Sequence, residues 1–179
     1  MKATGIVRRI DDLGRVVIPK EIRRTMRIRE GDPLEIYTNS DGEVIFKKYS
    51  PIGEIGESAA QVADIMHRLA GCPVAVFDRD HVISVSGAAK KEWNARRVSP
   101  ELEDLMEQRR QYFSDTGEPD FLPAEGVEKA AVACIPILSA GDVTGAVAFL
   151  EDGEHTSLNE TQKSLIQAAS QFLGKQLED

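Results

Sequence analysis

The sequence predicts an α+β protein of two domains, in which a small β-rich domain precedes an antiparallel sheet flanked by helices. Residues 1–50 carry 11 basic and 8 acidic side chains, a net charge of +3, whereas residues 51–179 carry 11 basic and 22 acidic ones, a net charge of −11. Between the two parts, the proline and glycines of residues 51–56 interrupt the hydrophobic pattern and predict a linker. We therefore expect domains at residues 1–50 and 57–179, of which the first binds a polyanion.

The first domain begins with two predicted strands, residues 5–10 and 15–18, which are rich in β-branched side chains. Asp11-Asp12-Leu13-Gly14 supplies the turn between them. Pro19 is expected at the first position of a short helix over residues 19–26, because a first helical position needs no backbone N–H.

A β-hairpin completes this domain. Gly31 is expected to cap or end the preceding helix. Residues 34–37 and 43–46 then flank Asn39-Ser40-Asp41-Gly42, which is a strong hairpin signal. About fifty residues without a disulfide or metal bury too little surface for comfortable stability, so we expect an obligate dimer.

The second domain alternates helices with hairpins, which predicts an antiparallel sheet covered by helices. The expected order is a helix from residue 59 to Gly71, strands at 73–77 and 81–85, helices around 88–96 and 99–111, a loop at 116–126, strands at 131–138 and 143–150, and a closing helix. The closing helix is predicted to start with the capping box Ser157-Leu158-Asn159-Glu160. Its apolar stripe of Leu165, Ala169 and Phe172 predicts packing within or between chains.

Arginine is concentrated in the first domain. Arg8 and Arg15 are expected on the two sides of one turn, and Arg23 and Arg24 on the adjoining helix. The planar guanidinium group fits phosphate oxygens and the edge of guanine, which favours a nucleic-acid interface. From composition alone, a solvated basic face remains the alternative.

Residues 4–24 closely resemble the AbrB-type DNA-binding domain, and the similarity continues through Gly31-Asp32, residues 34–37 and residues 47–49. The resemblance implies a dimeric swapped-hairpin β-barrel, in which hairpins from two chains interleave. It also implies that four arginines face double-stranded DNA, with Arg9 as an addition. These four are Arg8, Arg15, Arg23 and Arg24.

The longer C-terminal half resembles that of the sporulation and transition-state regulators within the same family in short segments, which are residues 78–80, 85–87, 90–91, 141–142 and 145–147. These segments, together with the predicted order of strands and helices, suggest a GAF-like domain. The resemblance implies a homotetramer in which C-terminal helices join two dimers, and a GAF-like domain that can bind an unidentified small molecule. Trp93 and Phe77 are equally well explained as core or as ligand contacts. The resemblance leaves open whether the chain acts as an activator or a repressor.

The two cysteines, Cys72 and Cys134, are far apart and are best interpreted as buried thiols in a reducing cytoplasm. With histidines only at positions 67, 81 and 155, no closely spaced ligand set predicts a metal site, and no cofactor is predicted. The N-terminus lacks a signal-peptide pattern, and apolar runs such as residues 146–150 are too short to span a bilayer.

The sequence therefore predicts a cytoplasmic, DNA-binding transcription regulator that is not an enzyme. It contains no nucleotide-hydrolysis loop, catalytic triad or carboxylate-rich metal centre. One alternative is an antitoxin, because MazE-type antitoxins use similar swapped-hairpin domains, although their tails are short and flexible. A second alternative is an enzyme that performs thiol redox chemistry with the two cysteines.

Overall fold

A computed structural model describes residues 2–115 and 119–178, and the chain forms two compact units, Met1–Tyr49 and Ser50–Asp179. The first unit contains helix α1 (Lys20–Met26) and strands β1 (Leu34–Thr38) and β2 (Val44–Lys48). The two strands are antiparallel, with Ile36 opposite Phe46. The predicted helix and hairpin are confirmed.

Helix α1 is bounded differently from the prediction. Pro19 is the N-cap, with a ψ of 147°, and therefore lies just outside the helix. At the other end Arg27 adopts a left-handed conformation with a φ of 52°, and Ile28 donates a 2.8 Å backbone hydrogen bond to Arg23. Arg27 thus ends the helix in the way that glycine usually does, and the prediction that Gly31 caps it is wrong.

The structure assigns no strand to residues 2–18, so the predicted strands at 5–10 and 15–18 are wrong for the single chain. The turn between them is present, because Asp11 donates a 3.0 Å backbone hydrogen bond to Arg15. A strand requires a neighbouring backbone to pair with, and the described residues of this unit supply none beside either segment. Their apolar side chains are left uncovered, with Val7 85% and Val17 71% exposed.

The second unit contains five strands and five helices within its described residues. They are α2 (Pro51–Glu54), α3 (Gly56–Ala70), β3 (Val74–Asp78), β4 (Val82–Ser86), α4 (Lys90–Trp93), α5 (Pro100–Glu107), β5 (Tyr112–Phe113), β6 (Ala131–Ser139), β7 (Asp142–Leu150) and α6 (Glu160–Gln176). The strands form one antiparallel sheet in the order β4-β3-β7-β6-β5. This matches the predicted helix-covered antiparallel sheet.

The sheet has a hydrophobic core on each face. Every residue of β3 is buried, and successive residues point to opposite sides of the sheet. Val74 and Val76 pack with residues of α2, α3 and α6, whereas Ala75 and Phe77 pack with residues of α4 and α5. The strands β3, β6 and β7 are therefore continuous apolar runs, because they lie between two helical layers.

Residues 51–54 of the predicted linker are helical. The Ser50 hydroxyl oxygen accepts a 3.0 Å hydrogen bond from the Gly53 backbone N–H, and Pro51 occupies the first turn of α2. Ile52 is fully buried in the core of the second unit. The linker prediction is wrong here, because the proline and serine begin a helix rather than break one.

The closing helix begins two residues later than predicted. Asn159 caps α6, not Ser157, and its side-chain oxygen accepts from the Gln162 backbone N–H at 2.8 Å. The Gln162 side-chain oxygen in turn accepts a hydrogen bond from the Asn159 N–H at 3.0 Å, and its amide nitrogen donates to the Ala70 carbonyl at 2.7 Å. The capping box therefore also ties α6 to the end of α3.

Other boundaries are shorter than predicted. The helices expected at 88–96 and 99–111 are limited to α4 and α5, and the two-residue strand β5 was not predicted. Within the loop predicted at 116–126, residues 116–118 lie outside the described residues. Residues 119–126 contain one isolated β-bridge, which joins Ala124 to Val98.

Candidate nucleic-acid interface

The five arginines singled out in the sequence are all exposed on the first unit. Arg23 and Arg24 are neighbours on α1, and Arg8 and Arg15 lie on the two sides of the turn at residues 11–14. Arg9 follows Arg8 directly and lies in the same segment without regular secondary structure. The Arg15 guanidinium has a hydrogen-bond partner. For the other four arginines, the described part of the chain provides no hydrogen bond or ion pair to the guanidinium group. These arginines are thus free to meet an anionic partner.

Arg15 is held by the turn that precedes it. Its Nε donates to Asp11 Oδ2 at 2.8 Å, and its backbone N–H donates to Asp11 Oδ1 at 2.8 Å. The Leu13 N–H also donates to Oδ1, at 3.0 Å. These contacts lower the pKa of the Asp11 carboxyl group. The hydrogen bond from the Arg15 backbone N–H has the largest effect, and the one from its guanidinium follows.

A set of contacts fixes the end of helix α1, which carries Arg23 and Arg24. Lys48 Nζ donates to the Arg27 carbonyl at 2.8 Å and lies 3.7 Å from Asp32 Oδ2. The same Asp32 oxygen accepts the Arg29 backbone N–H at 2.8 Å. These roles of Lys48 and Asp32 were not predicted from the sequence. The available signal was an acidic residue that closely follows a helix end, since such a carboxylate can accept free backbone N–H groups.

The cysteines of the second unit are buried in different places. Cys72 lies in the core beneath α3 and α6, whereas Cys134 lies in the core on the other face of the sheet. Burial raises the pKa of Cys72 to about 12 and also raises the pKa of Cys134 well above its ordinary value. Since the thiolate is the reactive species, neither residue is suited to thiol chemistry.

The histidines have local structural contacts. His67 Nδ1 is 2.8 Å from the Cys72 carbonyl oxygen, and His155 Nδ1 is 2.8 Å from Asp152 Oδ2. His81 forms an isolated β-bridge with Arg97. Among residues 2–115 and 119–178, no three His, Cys, Asp or Glu side chains are arranged to hold a metal ion.

Trp93 and Phe77 are core residues of the second unit. Both are fully buried, and their rings meet edge to face with centroids 6.4 Å apart. Near them, an open groove of about 360 Å³ lies along strand β4 and helix α4. Lys90, Lys91 and Asn94 contribute polar groups to its lining.

None of the described helices combines the length and apolar character that a bilayer crossing requires.

Two family models match the chain. Residues 54–178 match "Stage V sporulation protein T C-terminal, transcription factor", and residues 7–54 match "Antidote-toxin recognition MazE, bacterial antitoxin". The first match extends over most of the chain, whereas the second ends near the start of the second unit.

Full-length similarity gives the same assignment. Stage V sporulation protein T of Bacillus subtilis (strain 168) is 46% identical over 179 residues, which cover 99% of each chain. The transition state regulatory protein AbrB of the same organism is 52% identical over 71 residues, 40% of this chain and 72% of AbrB.

A solved GAF domain from an Acinetobacter phosphoenolpyruvate-protein phosphotransferase superposes with a TM-score of 0.57 at 9% identity, and the match covers 69% of this chain and 81% of that domain. At that identity the likeness shows the fold alone, which is the predicted GAF-like sheet. The relatives confirm the predicted AbrB-type first domain and the prediction that the chain is a regulator rather than an enzyme. The chain therefore belongs to the stage V sporulation protein T family of transcription factors.

Proposed function

We propose that this chain regulates transcription by binding double-stranded DNA through its first unit, with five arginines as the contact residues. These are Arg8, Arg9, Arg15, Arg23 and Arg24. The observation that carries the proposal is their exposure on a unit of net positive charge within a chain whose overall charge is −8. The similarity of this segment to AbrB, a transition state regulatory protein, supports a role in regulation.

The chemistry of the interface follows from the guanidinium group. Arginines that neutralise phosphates release condensed counterions, so affinity falls steeply as salt rises. Contacts to guanine edges, together with the deformability of the duplex, supply sequence preference. The acidic second unit contributes no comparable attraction, since residues 51–179 carry a net charge of −11.

The binding form that we propose is a homodimer built by interleaved hairpins. Large apolar side chains of residues 6–17 are uncovered in the single chain, and they include Val7, Ile10 and Val17. Contiguous uncovered apolar surface marks a protein interface. A second copy of the same segment would supply both the missing backbone partners and the missing cover.

The second unit is proposed to join two dimers into a homotetramer through α3 and α6. Ile65 and Leu69 lie one helical turn apart on α3 and are exposed, as is Phe172 on α6. The stripe predicted from the sequence is divided, because Ala169 is buried within the chain while Phe172 is 52% exposed. Phe172 is thus the member of the stripe that is available to another chain.

A regulatory ligand and a cytoplasmic location complete the proposal. The groove beside β4, with its two lysines and Asn94, has a volume suited to a small molecule, and GAF-like folds can act as ligand pockets.

Two free, buried cysteines agree with a reducing compartment. The antitoxin alternative lacks comparable support, because residues after the MazE match form a folded unit rather than a short flexible tail.

The proposed function is tested with the full-length chain. A duplex enriched from a random-sequence pool by the wild-type protein serves as the specific probe, and a scrambled duplex serves as the comparison. Arg15→Ala is expected to abolish the preference for the enriched duplex while native mass spectrometry still detects the dimer. The control is Arg109→Ala, which removes one exposed positive charge from the second unit. Affinity of Arg15→Ala within twofold of the wild type would contradict the assignment.

A further inference from the structure

The turn that carries Arg15 contains two adjacent aspartates with very different environments. Asp11 accepts three hydrogen bonds, from the Leu13 N–H at 3.0 Å and from the Arg15 N–H and Nε, both at 2.8 Å. For Asp12, the described residues provide no hydrogen bond or ion pair to the side chain, which is exposed. The two carboxylates therefore share a charge and a location but not a structural role.

The Asp11 contacts fix Arg15 at both ends. The backbone of Arg15 is bound to Asp11 through its N–H and through its carbonyl oxygen, which accepts from the Asp11 N–H at 3.0 Å. Its guanidinium is bound through Nε alone, and the side chain is still 69% exposed. The end of the guanidinium that carries the two Nη groups has no partner among the described residues, so it stays open to an acceptor.

This geometry matters because a free arginine side chain must lose rotamer freedom when it binds a base. An arginine whose Nε is already bound to a carboxylate loses less of that freedom. The two Nη groups of such an arginine can donate together to the O6 and N7 acceptors of guanine. A fixed orientation favours this directional contact more than it favours phosphates, which attract a cation from many directions.

The charge of Asp11 acts in the opposite direction. A carboxylate near the phosphates weakens binding to every duplex, and Asp12 has this effect as well as Asp11. Removal of either charge is thus expected to raise the affinity for DNA of any sequence. A loss of discrimination after the removal of Asp11 alone would therefore separate positioning from general electrostatics.

We propose that Asp11 is a positioning residue for sequence recognition, which orients the Arg15 guanidinium so that its Nη groups contact a guanine edge. The inference rests on the proposed DNA-binding function and extends it to an acidic residue. Asp11 improves the discrimination between DNA sequences while it lowers the affinity for DNA in general.

The test compares Asp11→Asn with Asp12→Asn in the full-length chain. Each variant removes one negative charge from the same turn, and asparagine at position 11 keeps the side-chain oxygen that accepts the two backbone N–H groups. Fluorescence anisotropy with the enriched and scrambled duplexes gives a specificity ratio for each protein. We expect the ratio of Asp11→Asn to fall about three- to fivefold, the upper part of the range that an exposed ion pair supports. The ratio of Asp12→Asn is expected to stay within twofold of the wild type.

The coupling to Arg15 is measured in a double-mutant cycle. In the Arg15→Ala background, where the preference is expected to be lost, Asp11→Asn and Asp12→Asn are expected to raise the affinity for both duplexes equally, because the side chain that Asp11 positions is gone. Equal specificity ratios for the two single variants would overturn the role of Asp11 even if Arg15→Ala abolishes discrimination. A wild-type chain that binds no duplex would instead overturn the proposed function itself.

A measurement on the unmodified chain covers the case in which Asp11→Asn does not fold. In ¹⁵N-resolved NMR spectra, the Arg15 Nε–H is expected to exchange with water more slowly than the Arg8 Nε–H. The hydrogen bond to Asp11 protects the first, whereas the described residues offer the second no acceptor. Equal exchange rates for the two groups would contradict the proposal.

Discussion

The side-chain amine of Lys48 donates a 2.8 Å hydrogen bond to the main-chain oxygen of Arg27, and this contact links the end of β2 to the end of α1. Arg27 has a left-handed backbone there, so its carbonyl turns away from the helix and needs a donor. Lys48 also lies beside Asp32, whose side chain is 3% exposed.

Replacement of Lys48 is expected to weaken both stability and DNA binding. Lys48→Met should lower the free energy of unfolding by about 1 kcal/mol, since it removes a charge-assisted hydrogen bond at a partly exposed site. The control is Lys47→Met, which removes the same charge from a side chain whose ammonium group lies 4.4 Å from the centre of the Tyr37 ring. Urea unfolding and DNA titration measure the two effects. Equal losses in both variants would show that the Arg27 contact has no special role.

Arg23 and Arg24 are expected to contribute to binding chiefly through phosphates or bases, and salt dependence distinguishes the two. If Arg23 or Arg24 contacts a phosphate, its replacement by alanine should reduce the magnitude of the slope by about one, where the slope is that of the logarithm of the DNA-binding constant against the logarithm of the salt concentration. A base contact should instead relax the preference for one position of the site. Titrations at several salt concentrations measure the slope, and Arg109→Ala should leave it unchanged.

The outer face of α6 offers a test of assembly. Phe172→Glu is expected to convert a tetramer into dimers, because it places a charge at the centre of the proposed apolar contact. Gln167→Glu adds the same charge to an exposed position of the same helix and should leave the tetramer intact. Sedimentation velocity resolves the two species. A tetramer that survives Phe172→Glu would exclude this face as the interface.

Gly174 is expected to be intolerant of any side chain. A Cβ at this position would overlap the Leu138 carbonyl oxygen, where α6 crosses β6. Gly174→Ala should therefore lower the free energy of unfolding by about 3 kcal/mol through displacement of the helix. Gly56→Ala in α3 is the control, since its new Cβ would meet only Ile83 Cγ2 at 4.0 Å. Calorimetric melting of both variants should show a loss only for Gly174→Ala.

The cysteines are expected to be unreactive in the folded protein. Both thiols are buried, and burial raises the pKa of Cys72 to about 12, so the thiolate is scarce at neutral pH. A thiol reagent such as dithiobis-nitrobenzoate should label neither residue within minutes at pH 8 and both in guanidinium chloride. Rapid labelling of the native chain would contradict this prediction and would support the alternative of thiol redox chemistry.

Much of the second unit could be predicted from the sequence. β3, β6 and β7 lie between two apolar layers, so their continuous apolar runs identify them without any knowledge of their partners. The hairpin at Asn39-Ser40-Asp41-Gly42 was also predictable, because the turn residues and the flanking strands are local. The two-residue strand β5 carries no such pattern and was missed.

The errors concern structure that depends on distant or external partners. The strands expected at 5–10 and 15–18 have the right composition but lack a pairing backbone in one chain. Pro51 suggested a break and instead starts a helix, because the Ser50 hydroxyl caps it and Ile52 is buried by remote residues. The hydrogen bonds between Asp11 and Arg15 could have been predicted from the sequence, since an aspartate at the start of a turn commonly accepts nearby backbone N–H groups.

The uncovered apolar side chains of residues 6–17 have a consequence for gene control. If two copies must meet before the arginine surface exists, the amount of active regulator depends on the square of the protomer concentration when the protein is scarce. A modest rise in synthesis would then produce a disproportionate rise in promoter occupancy. The small size of the first unit would thus give the cell a threshold that is set by the concentration of the protein.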